Sequence, residues 1–346
     1  MGLTLTQECE ELPPLFSALK KTGMFESFFE FIDRHQSFIL TTHDSPDADG
    51  LGAQMVVAFV LRKLGKDFRI INTSPAPSYL GFLENVSIVE CWDEEKPASL
   101  AEDFALIIFD AGDEYQLGSM RALLKKAKEV FVIDHHEPKN NKKFSGIINP
   151  AAASTSEIAI ELAGSRGIEL DPQTATAAYA GIVYDSGFFA YPKTNIGTFK
   201  AAIKTLEWGA DPNHIYRQLM ESASFSVILL QKQALSKLEF YSGKKIALLV
   251  LRREDFEISG ADFEDAENIV NIPLKAKEVE VSLLVKEQNT GEIRCSLRSK
   301  GKINVSKVAQ EFGGGGHVTA AGFRSSLSMD NVLKKLLADV EARLEK

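Results

Sequence analysis

The run Phe104–Phe109 (Phe-Ala-Leu-Ile-Ile-Phe) constrains the fold more than any other stretch, because it contains no polar residue. A strand with one face in water alternates apolar and polar residues, so a continuous apolar run predicts a strand covered by helices on both faces. Ser37–Thr42, Phe68–Ile71, Ile88–Glu90 and Val130–Ile133 are further strand candidates, with helical patterns between them. This alternation predicts an α/β domain with a parallel-sheet core flanked by helices.

Acidic or imidazole side chains follow directly after three of these predicted strands. They are His43 after the first, Asp110 after the central apolar run, and Asp134, His135 and His136 after the last. In parallel sheets of this kind, ligands collect where the strands end at their carboxyl edge. The three strand ends therefore predict one convergent site.

The turn that follows His43 adds two more carboxylates, Asp47 and Asp49, just before a helical pattern. Carboxylates this close together repel one another unless a cation or protons intervene. Oxygen ligands with an imidazole nitrogen suit a hard divalent metal. The alternative interpretation is a solvated turn in which Asp49 merely caps the helix.

A further carboxylate, Asp185, lies between apolar neighbours within a helical pattern over Ala175–Phe189. A lone buried Asp is costly unless it is paired or bound to a metal. The candidate metal ligands are therefore His43, Asp47, Asp49, Asp110, His135 and Asp185. Their four carboxylates would balance two divalent cations, and oxygen-rich ligation with some imidazole favours Mn²⁺, with Mg²⁺ as the alternative.

Two other polar features have structural interpretations. Ser154 and Glu157 have the spacing of a capping box at the start of a helix, and a cap is a sufficient explanation for them. His35 and His214 lie in polar stretches with a helical pattern, so we expect both to face solvent.

The C-terminal part of the chain predicts a smaller mixed α/β domain. We place the first domain at residues 1–208, a connector at 209–224 and the second domain at 225–346. Four consecutive glycines, Gly313–Gly316, precede His317, and backbone N–H groups in such a run can approach an anion closely. The alternative is a flexible loop. Arg298, in the strand candidate Ile293–Ser299, is a further cation for phosphate.

Composition limits the classes of partner. The net charge of −9 disfavours attachment to long duplex DNA. The three cysteines, Cys9, Cys91 and Cys295, are far apart and outside any CxxC pattern, which indicates reduced thiols in a cytoplasmic protein. No run approaches the roughly 18 apolar residues of a membrane span, so we expect no membrane partner.

The order and spacing of these motifs resemble the DHH phosphoesterase family, from about residue 37 to 325. The matching motifs are His43-xxx-Asp47-x-Asp49, Asp110, Asp134-His135-His136 and Asp185-Ser186-Gly187. Gly313–His317 with Ala320-Ala321-Gly322-Phe323 resembles the glycine-rich signature of that family's DHHA1 domain. The length and two-domain layout are most similar to its nanoRNase/pAp-phosphatase type.

This resemblance implies how the site residues divide their work. One metal would be held by His43, Asp47 and Asp110, and the other by Asp49, Asp110, His135 and Asp185. Asp110 would bridge them, His136 would contact the scissile phosphate, and Asp134 would orient its neighbours. Substrate would bind to Arg298, Ser296, Gly314, Gly315, Gly316 and His317 of a DHHA1 domain that lies across a cleft.

The activity that the resemblance implies is Mn²⁺-dependent hydrolysis of very short RNA, including pGpG-like dinucleotides, to 5′-mononucleotides, and of pAp to AMP. A hydroxide bridging two metals would attack phosphorus. We expect short single-stranded oligonucleotides or a nucleotide bisphosphate as partners, and a homodimer.

Two departures and several rivals bear on this expectation. Ala53 stands where relatives often have Ser, and Phe189-Ala190 stands where an Arg is frequent, so the resemblance implies no substrate contact at the latter position. A RecJ-like single-strand exonuclease, a family II pyrophosphatase and a cyclic-dinucleotide phosphodiesterase are the enzyme alternatives. A nucleotide-binding regulator without catalysis is the alternative from another class.

Overall fold

The chain forms two compact units, Met1–Ser222 and Ala223–Lys346. The computed structural model describes residues 22–93, 100–137, 144–316 and 318–344. Each unit contains a six-stranded sheet, parallel in the first and mixed in the second, so the predicted α/β class with two different sheets is confirmed. The predicted boundaries, with a connector at residues 209–224, stay a prediction.

The sheet of the first unit is parallel throughout. Its strands are β1 (Ser37–Thr41), β2 (Asp67–Asn72), β3 (Val89–Cys91), β4 (Ala105–Phe109), β5 (Val130–Asp134) and β6 (Ser145–Ile148). They lie in the order β3-β2-β1-β4-β5-β6, so the direction of winding reverses between β1 and β4. A crevice opens at the carboxyl ends of the strands at such a reversal. The charged strand ends predicted from the sequence therefore lie where this architecture binds ligands.

Helices cover both faces of this sheet. They are α1 (Thr22–Arg34), α2 (Ala48–Lys63), α3 (Thr155–Ser165), α4 (Pro172–Asp185), α5 (Ile196–Glu207) and α6 (Pro212–Met220), with 3₁₀ segments at Ser78–Leu80, Glu84–Ile88 and Glu114–Lys125. The larger core holds the fully buried rings of Phe28 and Phe131, 5.5 Å apart. On the other face, Leu117, Met120 and Leu123 pack in a second core.

The helices α2 and α4 approach each other closely because glycines line their contact. A Cβ on Gly52 would lie 2.6 Å from both the Ala177 carbonyl oxygen and Ser156 Oγ. A Cβ on Gly181 would lie 2.2 Å from Ser156 Oγ. Side chains at either position would push α3 and α4 away from the start of α2, which is where Asp47 and Asp49 lie.

Two expectations about this unit were wrong. The predicted helix over Ala175–Phe189 ends at Asp185, because Gly187, Phe188 and Phe189 all have positive φ angles, between 54° and 67°. The His35 side chain is only 18% exposed: its Nε2 lies 2.9 Å from Glu129 Oε2, and its ring is 5.3 Å from that of Phe31. The exposure expected for His214 is confirmed.

The second unit has a mixed sheet in the order β11-β12-β10-β9-β8-β7. Its strands are β7 (Glu239–Tyr241), β8 (Ile246–Leu251), β9 (Val281–Glu287), β10 (Ile293–Ser299), β11 (Gly315–Gly316) and β12 (Ala320–Ser325). Only β8 and β9 pair in parallel among these described strands. The helices are α7 (Phe225–Ser236), α8 (Arg253–Ser259), α9 (Val305–Gln310) and α10 (Met329–Leu344). Among the described residues, no helix is long and apolar enough to cross a membrane.

Candidate metal centre

Hydrogen bonds between strand ends bring His43 and Asp110 together. The Thr42 hydroxyl donates to the Phe109 carbonyl oxygen at 3.0 Å, which ties the end of β1 to the end of β4. His43 follows Thr42 in the chain, and Asp110 follows Phe109. His43 Nε2 lies 3.7 Å from Asp110 Oδ2. Asp110 has a φ of 52°, so the backbone turns sharply where its carboxylate enters the site.

Asp47, and not Asp49, caps α2. Its Oδ1 accepts hydrogen bonds from the N–H groups of Asp49 and Gly50, both at 3.0 Å. Its other oxygen, Oδ2, lies 3.5 Å from His43 Nε2. Oδ1 of Asp47 therefore caps the helix, while Oδ2 faces His43 and is the oxygen that could bind a metal. Asp49 does not cap this helix.

Asp49 is held by the N-terminus of α3. Its side chain is fully buried, and its carboxylate accepts from the N–H groups of Thr155 at 2.6 Å and Ser156 at 2.8 Å. The first N–H groups of a helix have no partner within the helix, so they are suited to hold an anion. The Thr155 hydroxyl also donates to Asp110 Oδ1 at 3.1 Å. The sequence interpretation missed both residues, because three adjacent hydroxyl residues before a helix look like an ordinary cap.

The predicted capping box is only half formed. Ser154 Oγ accepts from the Glu157 N–H at 3.0 Å, as expected. The Glu157 carboxylate instead accepts from the Ala153 N–H at 3.0 Å and from the Thr198 hydroxyl at 2.8 Å. It thereby links the start of α3 to α5, which fixes the helix end that holds Asp49.

His135 presents a buried ring nitrogen towards two carboxylates. Its Nε2 lies 3.0 Å from Asp185 Oδ2 and 3.4 Å from Asp110 Oδ1. Neither contact has hydrogen-bond geometry, so this buried nitrogen has no hydrogen-bond partner among the described residues. An imidazole nitrogen close to two carboxylate oxygens but aligned with neither fits a shared cation between them.

Ligand-type atoms form three overlapping groups whose members lie within 4.8 Å of one another. The groups are His43 with Asp47 and Asp110, then Asp49 with Asp110, His135 and Asp185, and finally Asp110 with His135 and His136. The first two have the same members as the ligand sets that the resemblance implied. Asp110 belongs to all three groups. The assignment of these residues as metal ligands stays a prediction.

His136 is oriented by Asp134. Its Nδ1 lies 2.7 Å from Asp134 Oδ1, and the same oxygen accepts from the His136 N–H at 3.1 Å. The Asp134 side chain is buried, whereas that of His136 is 28% exposed. These two contacts with the buried carboxylate fix the orientation of the His136 ring.

The charges of the cluster shift its pKa values strongly. Burial alone would lower the pKa of His43, but Asp110 and Asp47 raise it to about 10, and Asp110 and Asp185 likewise raise that of His135 to about 11 despite burial. Burial alone would raise the pKa of Asp110, but His135 and His43 hold it well below its usual range. Burial raises the pKa of Asp49, and Asp110 and Asp185 raise it further. Without a cation, the two imidazoles and Asp49 would hold protons that offset the negative charge of the other carboxylates.

Metal binding is expected to release protons. His43 and His135, with pKa values of about 10 and about 11, are protonated at pH 7.5 and must lose a proton to coordinate a cation. We expect at least two protons released per chain when Mn²⁺ binds, one from each imidazole, with Asp49 adding a third where it is protonated. Calorimetric titrations in buffers of different ionisation enthalpy measure this number, and a heat of binding independent of the buffer would contradict it.

In the second unit, the predicted substrate residues lie on β10 and beside β12. Ser296 is buried and its hydroxyl donates to Glu267 Oε2 at 3.3 Å, while Arg298 donates to the Leu297 carbonyl oxygen at 3.1 Å. The glycine run is no flexible loop, since Gly315 and Gly316 pair with β12. The Gly314 N–H donates to the Ala309 carbonyl oxygen, and a Cβ there would lie 2.2 Å from the Gly322 carbonyl oxygen. His317 lies outside the described residues.

Lys193 is a further residue that the sequence interpretation missed. Its Nζ donates to the His135 carbonyl oxygen at 3.0 Å, although it lies 58 positions away in sequence. The sequence has no Arg directly after Asp185-Ser186-Gly187. Lys193, which lies in the same connection between α4 and α5, brings a different cation to the candidate metal centre. A lone Lys in a polar turn carries no sequence signal for this.

Comparison with known families agrees with this geometry. The profile described as the DHH family, N-terminal domain, matches residues 37–182, and the DHHA1 domain matches residues 243–346. The chain belongs to the DHH family. This confirms the predicted resemblance and the prediction that the chain is an enzyme of the phosphodiesterase or phosphatase type.

Relatives of this DHH chain cover almost all of its length. It is 27% identical over 312 residues to the probable bifunctional oligoribonuclease and PAP phosphatase NrnA of Streptococcus mutans, covering 89% of this chain and 95% of that protein. It is 26% identical to the NrnA of Bacillus subtilis, covering 90% and 95%. The crystal structure of an exopolyphosphatase-related protein from Bacteroides fragilis superposes with a TM-score of 0.85 at 26% identity, covering 94% and 98%.

Proposed function

We propose that this protein is a Mn²⁺-dependent phosphoesterase that hydrolyses very short RNA, including pGpG-like dinucleotides, to 5′-mononucleotides, and pAp to AMP. The observation that carries the proposal is the convergence of four carboxylates and two imidazoles at the carboxyl edge of one sheet. The relatives named oligoribonuclease and PAP phosphatase support the choice of substrate.

Two cations would each have their own residues in this proposal. His43 and Asp47 would hold the first cation. Asp49, His135 and Asp185 would hold the second, and Asp110 would bind to both. When bound, they would polarise a phosphoryl group and lower the pKa of an attacking water. Mn²⁺ suits this mixture of oxygen and imidazole ligands, with Mg²⁺ as the alternative.

The remaining residues of the first unit act on the substrate. His136 would act as an imidazolium: with Nδ1 2.7 Å from the Asp134 carboxylate, it would donate the Nε2 proton to a phosphate oxygen or to the leaving oxygen. Asp134 is thus a positioning residue. Thr155 and Ser156 keep the Asp49 carboxylate in place through their backbone N–H groups.

Arg298 of the DHHA1 unit is proposed to bind a terminal phosphate, with Ser296, Gly314, Gly315, Gly316 and His317 shaping the same site. Replacing Arg298 by Ala is expected to raise the KM for a 5′-phosphorylated dinucleotide about 10-fold, because a charge-assisted hydrogen bond is lost. Arg253→Ala is the matched control, since Arg253 is exposed on α8 and paired with Glu257. An unchanged KM in the Arg298 variant would remove this residue from the substrate site.

Lys193 is proposed to add positive charge beside the phosphate. Lys193→Gln removes the charge and keeps an N–H donor on a slightly shorter side chain, so we expect kcat/KM to fall about 10-fold. Lys193→Arg keeps the charge and should restore most of the activity. Equal activity in the Gln variant and the unchanged protein would show that the charge is dispensable.

A turnover assay with Mn²⁺ tests the proposed function. Substrates are 5′-phosphorylated dinucleotides, pAp, a long single-stranded RNA, pyrophosphate and inorganic polyphosphate. The proposal predicts that dinucleotides and pAp are hydrolysed fastest. Preference for the long RNA would indicate a RecJ-like exonuclease instead, and nucleotide binding without any hydrolysis would indicate a regulator.

A further inference from the structure

Three tyrosines lie on segments that adjoin the candidate metal ligands in the first unit. Tyr79 follows β2 at the carboxyl edge of the sheet, Tyr184 immediately precedes Asp185 at the end of α4, and Tyr191 lies in the connection to α5. Their exposed fractions are 37%, 41% and 59%. Half-exposed aromatic rings from three separate segments therefore lie beside carboxylates, where a polar surface would be expected.

Tyr79 and Tyr184 form a parallel pair. Their ring centroids lie 6.2 Å apart, and the ring planes differ by only 13°. Because Tyr184 directly precedes Asp185 in the chain, the pair lies beside a candidate metal ligand.

Tyr191 rests on Gly187, the last residue of the Asp185-Ser186-Gly187 motif. A Cβ on Gly187 would lie 2.5 Å from Cε1 of the Tyr191 ring, and Gly187 has a φ of 56°. The Tyr191 N–H donates to the Ser186 carbonyl oxygen at 2.9 Å, which holds the turn closed. One side of this ring packs on the backbone next to Asp185 while more than half of the residue stays in contact with solvent.

The chemistry of these rings suits a flat, apolar group attached to a phosphate. The metal ligands account for the phosphate alone, and the rest of a dinucleotide consists of sugars and bases. Aromatic side chains stack on bases with little sequence preference, because every base has a π face. Such tolerance suits an enzyme that degrades short RNA of any sequence.

We propose that Tyr79, Tyr184 and Tyr191 form a stacking surface for the nucleobases that flank the scissile phosphate. This inference rests on the proposed function and adds to it a base-binding site within the DHH unit. The stacked pair of Tyr79 and Tyr184 presents an outer ring face to one base, and Tyr191 presents its exposed side to the other.

The test compares Leu and Phe variants at Tyr184 and Tyr191. Each Tyr→Leu variant is expected to raise the KM for the dinucleotide pApA about 10-fold, and each Tyr→Phe variant to stay within about twofold, because Phe keeps the ring. The Leu penalty should vanish for a comparator in which both bases of pApA are removed. In parallel, a dinucleotide containing 2-aminopurine should lose fluorescence on binding to the Phe variants and much less on binding to the Leu variants. Circular dichroism checks that all variants fold.

The outcomes separate this inference from the function on which it rests. If the unchanged protein hydrolyses pApA but the Leu variants keep its KM, the stacking surface is wrong and the function stands. An equal penalty for pApA and the abasic comparator, or for Leu and Phe, would also overturn stacking. If the unchanged protein hydrolyses no dinucleotide, both fall.

Discussion

Asp110→Asn is expected to lower kcat for dinucleotide hydrolysis on the order of 10³-fold, about 4 kcal/mol of transition-state stabilisation. Asp110 is the only side chain that belongs to all three groups of ligand-type atoms found among the described residues. Asn has the same shape but supplies one neutral oxygen where the carboxylate supplies two charged ones. Loss of this residue therefore affects both proposed cation positions at once.

Asn is the suitable substitution because of the backbone at this position. Asp110 has a φ of 52°, a left-handed conformation that Asn adopts readily and that strains Ala. The Thr155 hydroxyl can still donate to the amide oxygen of Asn. Activity can therefore be lost without loss of the fold, and an unchanged melting temperature checks this.

Asp103→Asn serves as the matched control for this prediction. Asp103 has a 78% exposed side chain and pairs only with Lys128 among the contacts described for it. It should keep full activity. If Asp110→Asn retains more than about a tenth of the wild-type kcat, a role shared between two cations is excluded.

Gly181→Ala is expected to destabilise the first unit by about 2 kcal/mol. The new Cβ would lie 2.2 Å from Ser156 Oγ and 3.0 Å from the Ala48 carbonyl oxygen, so α3 or α2 must move. Because the Ser156 N–H holds the Asp49 carboxylate, the same shift should weaken Mn²⁺ binding. Thermal unfolding and Mn²⁺ titration measure the two effects.

The same substitution at Gly164 should have the opposite effect on stability. Gly164 lies in α3, and no atom of its surroundings lies within 4 Å of the position that a Cβ would take, so Ala meets no obstacle there. Ala has a higher helix propensity, and we expect a gain of up to about 1 kcal/mol. If both variants are destabilised equally, helix crowding at Gly181 is not the cause of its effect.

The convergence of the residues that follow the buried strands was predictable from the sequence. The parallel strands had continuous apolar patterns, and their carboxyl ends necessarily meet at one edge, which placed His43, Asp110 and His135 together. The family resemblance added the division into two ligand sets. The order of the strands was not predictable, although it decides that β1 and β4 are neighbours at the reversal point.

Contacts made by backbone groups were beyond the sequence interpretation. Thr155 and Ser156 bind the Asp49 carboxylate through backbone N–H groups, which every residue except proline has. Whether these groups point at Asp49 depends on the direction of α3, which is set by packing. The end of α4 at Asp185 was missed because Phe188 and Phe189 continue the apolar pattern while their φ angles are positive. Periodicity does not report such a turn.

The central claim is that one cluster in the DHH unit binds two divalent cations through a shared Asp110. Equilibrium dialysis against Mn²⁺, followed by elemental mass spectrometry, measures the number of ions bound per chain. We predict two ions for the unchanged protein and fewer for Asp110→Asn. One ion or none bound to the unchanged, folded protein would contradict the claim.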